Sequence, residues 1–194
     1  PSLATMSLLG AAPKALTEKE VVADLNALLR WANARDIRVS KDFNLTFADH
    51  ISSLLGIMLN EGIVTLYDEG PEVVYGIGLN QHTVASYYRN TVIHFFVNKA
   101  IIELALLKAS ENEGPDALNV FWAEVDQLRD LFKFEFFYAP TEIFHQQIRE
   151  ELSRYDEDWQ TLLSQGTFAF GQLLNRMTPL VSHVTLLIFT EAYS

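Results

Sequence analysis

Tyr87, Asn90, Thr91, His94 and Asn98 recur at spacings of three and four along the stretch ASYYRNTVIHFFVNKA, residues 85–100. On a single helix that spacing stacks them on one face. Together they offer a phenol, two amides, a hydroxyl and an imidazole, all of which donate or accept hydrogen bonds. Two uses fit such a face. A buried network would fix the register of helix packing, because each unpaired buried polar group costs about 1–3 kcal/mol. A ligand-lining face would use the same groups to orient a bound molecule. Lys99 and Glu103 follow one turn apart on a different face, in the weaker order for a helix pair, and can neutralise each other against a neighbouring element.

Other chemistry has little support in the residues. The chain has no cysteine, which excludes disulfides, thiolate metal sites and cysteine nucleophiles and leans the compartment toward the cytosol. Its five histidines are scattered, with no pair at zinc-like spacing, so no metal and no cofactor is expected. Gly76 and Gly78 end a strand-like run without the third glycine of a phosphate loop, and no Gly-x-Ser-x-Gly elbow occurs. Glu150, Glu151, Asp156, Glu157 and Asp158 read as a solvated helix face. Phe132, Phe134, Phe136 and Phe137 either belong to the core or line a pocket for an acyl chain.

With 25 acidic against 14 basic residues the formal charge is -11, which disfavours nucleic acid as a partner. About half the 194 residues are apolar, enough for a real core. The N-terminus, PSLATMSLLGAAPK, has no basic region ahead of its apolar stretch, so it does not read as a secretory signal. It reads as cut from something longer. The longest apolar piece, MTPLVSHVTLLIFT from Met177, falls short of the roughly 20 residues of a spanning helix, so no transmembrane segment is expected.

The elements that must position these groups are mostly helical. A short helix over Ser2 to Ala12 ends near Pro13, and Thr17 with Glu20 forms a capping box for a second helix reaching about Ala34. Ala48, Ile51, Leu54, Leu55, Met58 and Leu59 mark a third, closed by Gly62 as a left-handed cap. IVTLY and VVYGI, separated by residues 68–72, suit a hairpin. Three helices and a hairpin follow the order of a winged helix, but residues 47–61 carry no Lys or Arg for a DNA groove. A packing or interaction use is expected instead.

From Asn80 the pattern predicts one helix to the break at Gly114 and Pro115, then a helix from Asp116 to about Phe134. In LFKFEFFYA the alternation of Phe132, Phe134, Phe136 and Tyr138 suits a strand and helix continuation is equally allowed; with no partner strand evident nearby, helix is favoured until Pro140. Ile143, Phe144, Ile148, Leu152 and Tyr155 mark another amphipathic helix. A last helix runs from near Thr167, with Leu173, Met177, Leu180, Val184, Leu187 and Ile188 on one stripe and a kink at Pro179. The expected architecture is mainly α: a winged-helix-like part over residues 1–79, then a helical bundle over residues 80–194.

The run YYRNTVIHFFV at residues 87–97, preceded by SLATMSLLGAAPKALTEKEVVADL, resembles the C-terminal region of the large, membrane-associated glycerol-3-phosphate acyltransferases of bacteria and mitochondria. That family carries Tyr-Tyr-x-Asn-x-x-x-His, matched here by Tyr87, Tyr88, Asn90 and His94. Its Ala-Leu-Thr-Glu helix start is matched by Ala15, Leu16, Thr17 and Glu18. The likeness extends more weakly through LRDLFKFEFFY and the last helix.

The resemblance implies a part in transferring an acyl group from acyl-CoA or acyl carrier protein to the sn-1 hydroxyl of glycerol 3-phosphate, a step of phospholipid biosynthesis. Such enzymes use a His, four residues and an Asp, with the imidazole as general base, plus an arginine motif for the phosphate. This chain departs from both. His145 comes nearest, five residues before Glu150, with Glu in place of Asp. No catalytic residue is therefore carried over, and Tyr87, Tyr88, Asn90 and His94 are expected to be structural.

The implied role is an accessory C-terminal region, inactive alone, with the acyltransferase domain of the same polypeptide as its partner. A peripheral position on the cytoplasmic side of a membrane, against the membrane surface, is implied by the resemblance alone. The alternative is a free-standing winged-helix and helical module that binds a protein and has no enzymatic activity.

Overall fold

A computed structural model of the chain describes residues 1–39, 48–111, 116–164, 173 and 177. It is mainly helical with one small sheet, and it divides into two units, Pro1–Ile93 and His94–Ser194.

In the first unit α1 (Ser2–Ala11) is apolar nearly all round and is buried from Ala4 through Gly10, as a helix without a polar face must be. Its Ser7 hydroxyl donates to Asp24 at 2.6 Å, which satisfies a buried polar group against the next helix. That helix, α2 (Glu18–Asn33), opens on the expected capping box. Thr17 Oγ1 accepts from the Glu20 backbone at 3.2 Å, and Glu20 accepts from the Thr17 backbone at 2.8 Å. α3 (Ala48–Asn60) buries Ile51, Leu55 and Met58, and Gly62 follows at φ 69, where a side chain would be strained. Leu59, expected on the buried stripe, is instead 37% exposed.

The hairpin pairs β2 (Thr65–Tyr67) with β3 (Val74–Gly76), setting Leu66 opposite Tyr75. A further strand, β1 (Leu16–Thr17), pairs with the other edge of β3, so the sheet order is β1-β3-β2. Gly76 sits where the three strands crowd: a Cβ there would lie 3.3 Å from the Tyr67 ring and 3.4 Å from Ala15 Cβ.

The periodicity from Asn80 predicts one unbroken helix; the structure breaks it. α4 (His82–Asn90) stops, a 3₁₀ turn spans Ile93–Phe95, and α5 (Val97–Ser110) starts afresh. The cause is local. Thr91, Val92 and Ile93 are a β-branched run with low helix propensity, and Thr91 Oγ1 donates back to Tyr88 O at 2.7 Å. Thr91 and Val92 backbone amides then bond three residues back, tightening the end of α4. α4 packs against α1 and stays in the first unit, which runs to Ile93.

In the second unit α5 packs against α6 (Ala117–Phe132) and α7 (Thr141–Ser153), and α6 also meets α8 (Trp159–Ser164). Ala117, Phe121, Val125, Leu128 and Phe132 form the buried stripe of α6; Phe144, Ile148 and Leu152 are buried on α7, and Trp159 and Leu163 on α8, with the Trp159 ring 6.4 Å from that of Phe121. Burying each large side chain contributes about 1.5–3 kcal/mol, so the stripe is a main source of the unit's stability. Leu173 and Met177 are helical and buried, as the pattern of the last helix predicts. The start near Thr167, the kink at Pro179, positions 180, 184, 187 and 188, and the break at residues 114–115 lie outside the described residues.

The helix expected to continue to Tyr138 ends at Phe132. Residues 133–139 are neither helix nor strand: Glu135 and Phe136 amides both donate to Phe132 O at 3.0 Å, closing a turn. Aromatic residues in succession favour helix weakly, and Pro140 pushes Ala139 out of the helical region. α8 answers to no predicted element.

Candidate functional site

Because the helix breaks after Asn90, the polar positions at residues 87–98 do not share one helical face. Tyr87 is 69% exposed, with its ring edge-on to Tyr88 at 5.7 Å. Asn90, Thr91 and His94 are exposed as well, while Tyr88 and Asn98 are half-buried. A buried network across this stripe is therefore not what the fold builds. Thr91 Oγ1 lies 2.8 Å from Ser2 Oγ within the first unit, Asn98 donates to Gln147 at 3.3 Å within the second, and His94 stacks at 4.0 Å on neighbouring Phe95.

The buried polar residue of this segment is one the spacing argument passed over. Arg89 is 5% exposed, and its Nε and one terminal nitrogen both donate to Asn90 Oδ1, at 3.1 and 3.0 Å. Burial pulls its pKa below the usual guanidinium value. Asn90 thus serves a neighbouring cation. The signal was available in part, since Arg89 follows Ala85 by four residues on the buried side of α4.

Lys99 and Glu103 are both buried on α5, at 4% and 6% exposure. The Lys99 ammonium donates to Met177 O at 3.2 Å and lies 5.8 Å from the Tyr155 ring centre. The group that receives Lys99 is thus the backbone carbonyl of Met177.

His145 does not pair with Glu150, which instead accepts from Gln146 at 3.0 Å. Its Nε2 donates to Asp126 Oδ1 at 2.6 Å, across from α7 to α6. The imidazole is 21% and the carboxylate 50% exposed, and the Trp122 ring sits 4.9 Å from the imidazole. An imidazole oriented by a carboxylate is one part of a general-base site. Here the pair spans two helices, and Arg149 closes over Trp122 at 5.0 Å, so the group ties α6 to α7. No local motif joins residues 126 and 145.

The four aromatic positions of the acyl-pocket reading separate. Phe132 is buried, Phe136 half-buried, and Phe134 and Phe137 are 87% and 109% exposed, so they enclose no pocket. Two open grooves do occur, of about 450 Å³ along the hairpin and about 740 Å³ beside the start of α2. Tyr87, Tyr88, Asn90 and His94 line neither. Among the described residues no group of three metal-ligating side chains gathers, and no helix is long and apolar enough to cross a membrane.

The whole chain, residues 1–194, matches the family model of the glycerol-3-phosphate acyltransferase C-terminal region. The chain belongs to that family. Among curated relatives, this acyltransferase C-terminal region is 34% identical over 194 residues to the protein named "Putative acyltransferase plsB1" of Mycobacterium bovis. It is equally similar to the protein of the same name in Mycobacterium tuberculosis. The match covers 99% of this chain and 31% of each relative, so the chain spans about a third of the length of the relatives it matches. No solved structure matches it.

Proposed function

We propose that these residues are the C-terminal accessory region of a glycerol-3-phosphate 1-O-acyltransferase. The parent takes an acyl group from acyl-CoA or acyl carrier protein and places it on glycerol 3-phosphate, giving lysophosphatidic acid for phospholipid biosynthesis. The observation that carries this reading is the family match over the whole chain, set beside relatives about three times as long. The catalytic motifs lie in the remainder of the parent. In support, the best-formed acid–base pair among the described residues, His145 with Asp126, is used in joining two helices.

The first unit is a winged-helix arrangement used for packing. Its order α1-β1-α2-α3-β2-β3 and strand order β1-β3-β2 support that, and the helix expected to read DNA, α3, carries no cation. The region's partner is the acyltransferase domain of the same polypeptide, at the cytoplasmic surface of a membrane that the parent touches peripherally. Tyr87, Tyr88, Asn90 and His94 have structural or docking roles. A free-standing interaction module would leave the acyltransferase likeness without a cause.

Acyl transfer to glycerol 3-phosphate tests the reading. The purified parent should turn over, and the same parent truncated to residues 1–194 should show none. Turnover by the truncated chain would sink the proposal.

A further inference from the structure

At one end of the second unit, aromatic side chains are held outward by an ordered backbone. Arg129 donates to Ala139 O at 2.9 Å, and the two amide bonds to Phe132 O close the turn between α6 and α7. Tyr138 packs edge-on against buried Phe144 at 5.3 Å, which anchors the turn from beneath. Phe134 and Phe137 then project almost fully exposed, with Leu131 43% and Ile143 54% exposed on the adjoining helix ends. Each such ring carries about 150–250 Å² of mostly apolar surface, and a few hundred Å² of exposed apolar surface is the scale of an interaction site.

We propose that this α6–α7 tip is the surface by which the region docks on the remainder of the acyltransferase polypeptide. The proposal rests on the reading of the chain as an accessory C-terminal region. Two observations select the occupant. The curated relatives have more than two thirds of their length outside the matched span, so a large covalently linked partner is at hand in such a parent. Charges of both signs also alternate with the rings: Lys133 lies 5.4 Å from the Phe134 ring centre, Glu135 follows, and Glu142 begins α7. Lowering those carboxylates into a lipid interior is costly, whereas a protein surface can seat the rings centrally and pair each sign at the rim.

These 194 residues contain no cysteine, so an introduced thiol is the only one in this region, and peptide mass spectrometry reads it apart from any elsewhere in the parent. In the full-length parent, without added lipid, Phe137→Cys, Leu79→Cys and Glu157→Cys would each be labelled with a maleimide and followed by peptide mass spectrometry. The expected result is labelling of Phe137→Cys at least about tenfold slower than of exposed Glu157→Cys, with the difference lost in denaturant. If Phe137→Cys reacts as fast as Glu157→Cys while Leu79→Cys, 93% exposed here, is protected, the tip is overturned and the accessory reading stands. If both apolar probes react freely, the tip is likewise overturned, and the accessory reading rests on the truncation test. Protection that arises only after phosphatidylcholine vesicles are added would assign the tip to lipid and overturn the proposal as well.

Discussion

The segment at residues 87–98 and the tip at residues 131–143 invert the usual rule in opposite ways. In the first, the uncharged polar residues Asn90 and Thr91 and the ring of Tyr87 face outward while the cation Arg89 is buried. In the second, Phe134 and Phe137 face outward while the charged Arg129 reaches back to bond Ala139 O. Residue type alone assigns neither. Buried Arg89 has an acceptor for its fork in the next side chain, and the two rings are exposed because backbone bonds end α6 before they can join its stripe.

Paired substitutions would break this comparison if it is mistaken. Phe144→Ala, beneath the tip, should cost about 3–5 kcal/mol in chemical denaturation, as a large core aromatic does. Phe137→Ser on top of it should stay within about 0.5 kcal/mol of the starting protein. Similar losses at both positions would mean that the tip is core.

In the other segment Arg89→Ala should cost about 1–3 kcal/mol by removing a buried side chain's packing and leaving a space where it stood. His94→Ala, at an exposed position, should shift the melting temperature little. A larger loss at His94 than at Arg89 would restore the buried stripe.

A smaller effect concerns the cap of α2. A hydrogen bond from Lys14, and then the Thr17 backbone and hydroxyl, hold the Glu20 carboxylate at a pKa of about 2, below the ordinary value of 4.5. Because the folded pKa is the lower one, this contribution is complete above pH about 4.5 and fades as pH falls toward 2. Lys14→Ala should reduce the acid sensitivity in that window, measured as melting temperature against pH at low salt. Lys14 is exposed, so salt should weaken the effect. An unchanged pH profile in Lys14→Ala would remove the ion pair from the account.

The parts of the fold legible in the sequence are those whose cause is local. The Thr17–Glu20 capping box, the turn at Gly62, the hairpin around residues 68–72 and the start of α7 after Pro140 each depend on a few adjacent residues. What escaped depends on partners distant in the chain or on competing weak preferences. β1 is two residues long and exists only through its pairing with β3. Periodicity carried the helix across Thr91–Ile93, where β-branching and one hydroxyl bond decide otherwise. The family signature at Tyr87, Tyr88, Asn90 and His94 was readable as a likeness, whereas the pairing of His145 with Asp126 needed two helices brought side by side.

The central claim is that this region supports an acyltransferase without supplying its acid–base chemistry, and His145 is where that claim is most exposed. The decisive measurement is steady-state acyl transfer from acyl-CoA to glycerol 3-phosphate by the full-length parent carrying His145→Ala, with its melting temperature recorded alongside. The account predicts a kcat within about twofold of the unmodified enzyme. A fall of about 100-fold or more with the melting temperature unchanged, the size expected on losing a general base, would contradict it.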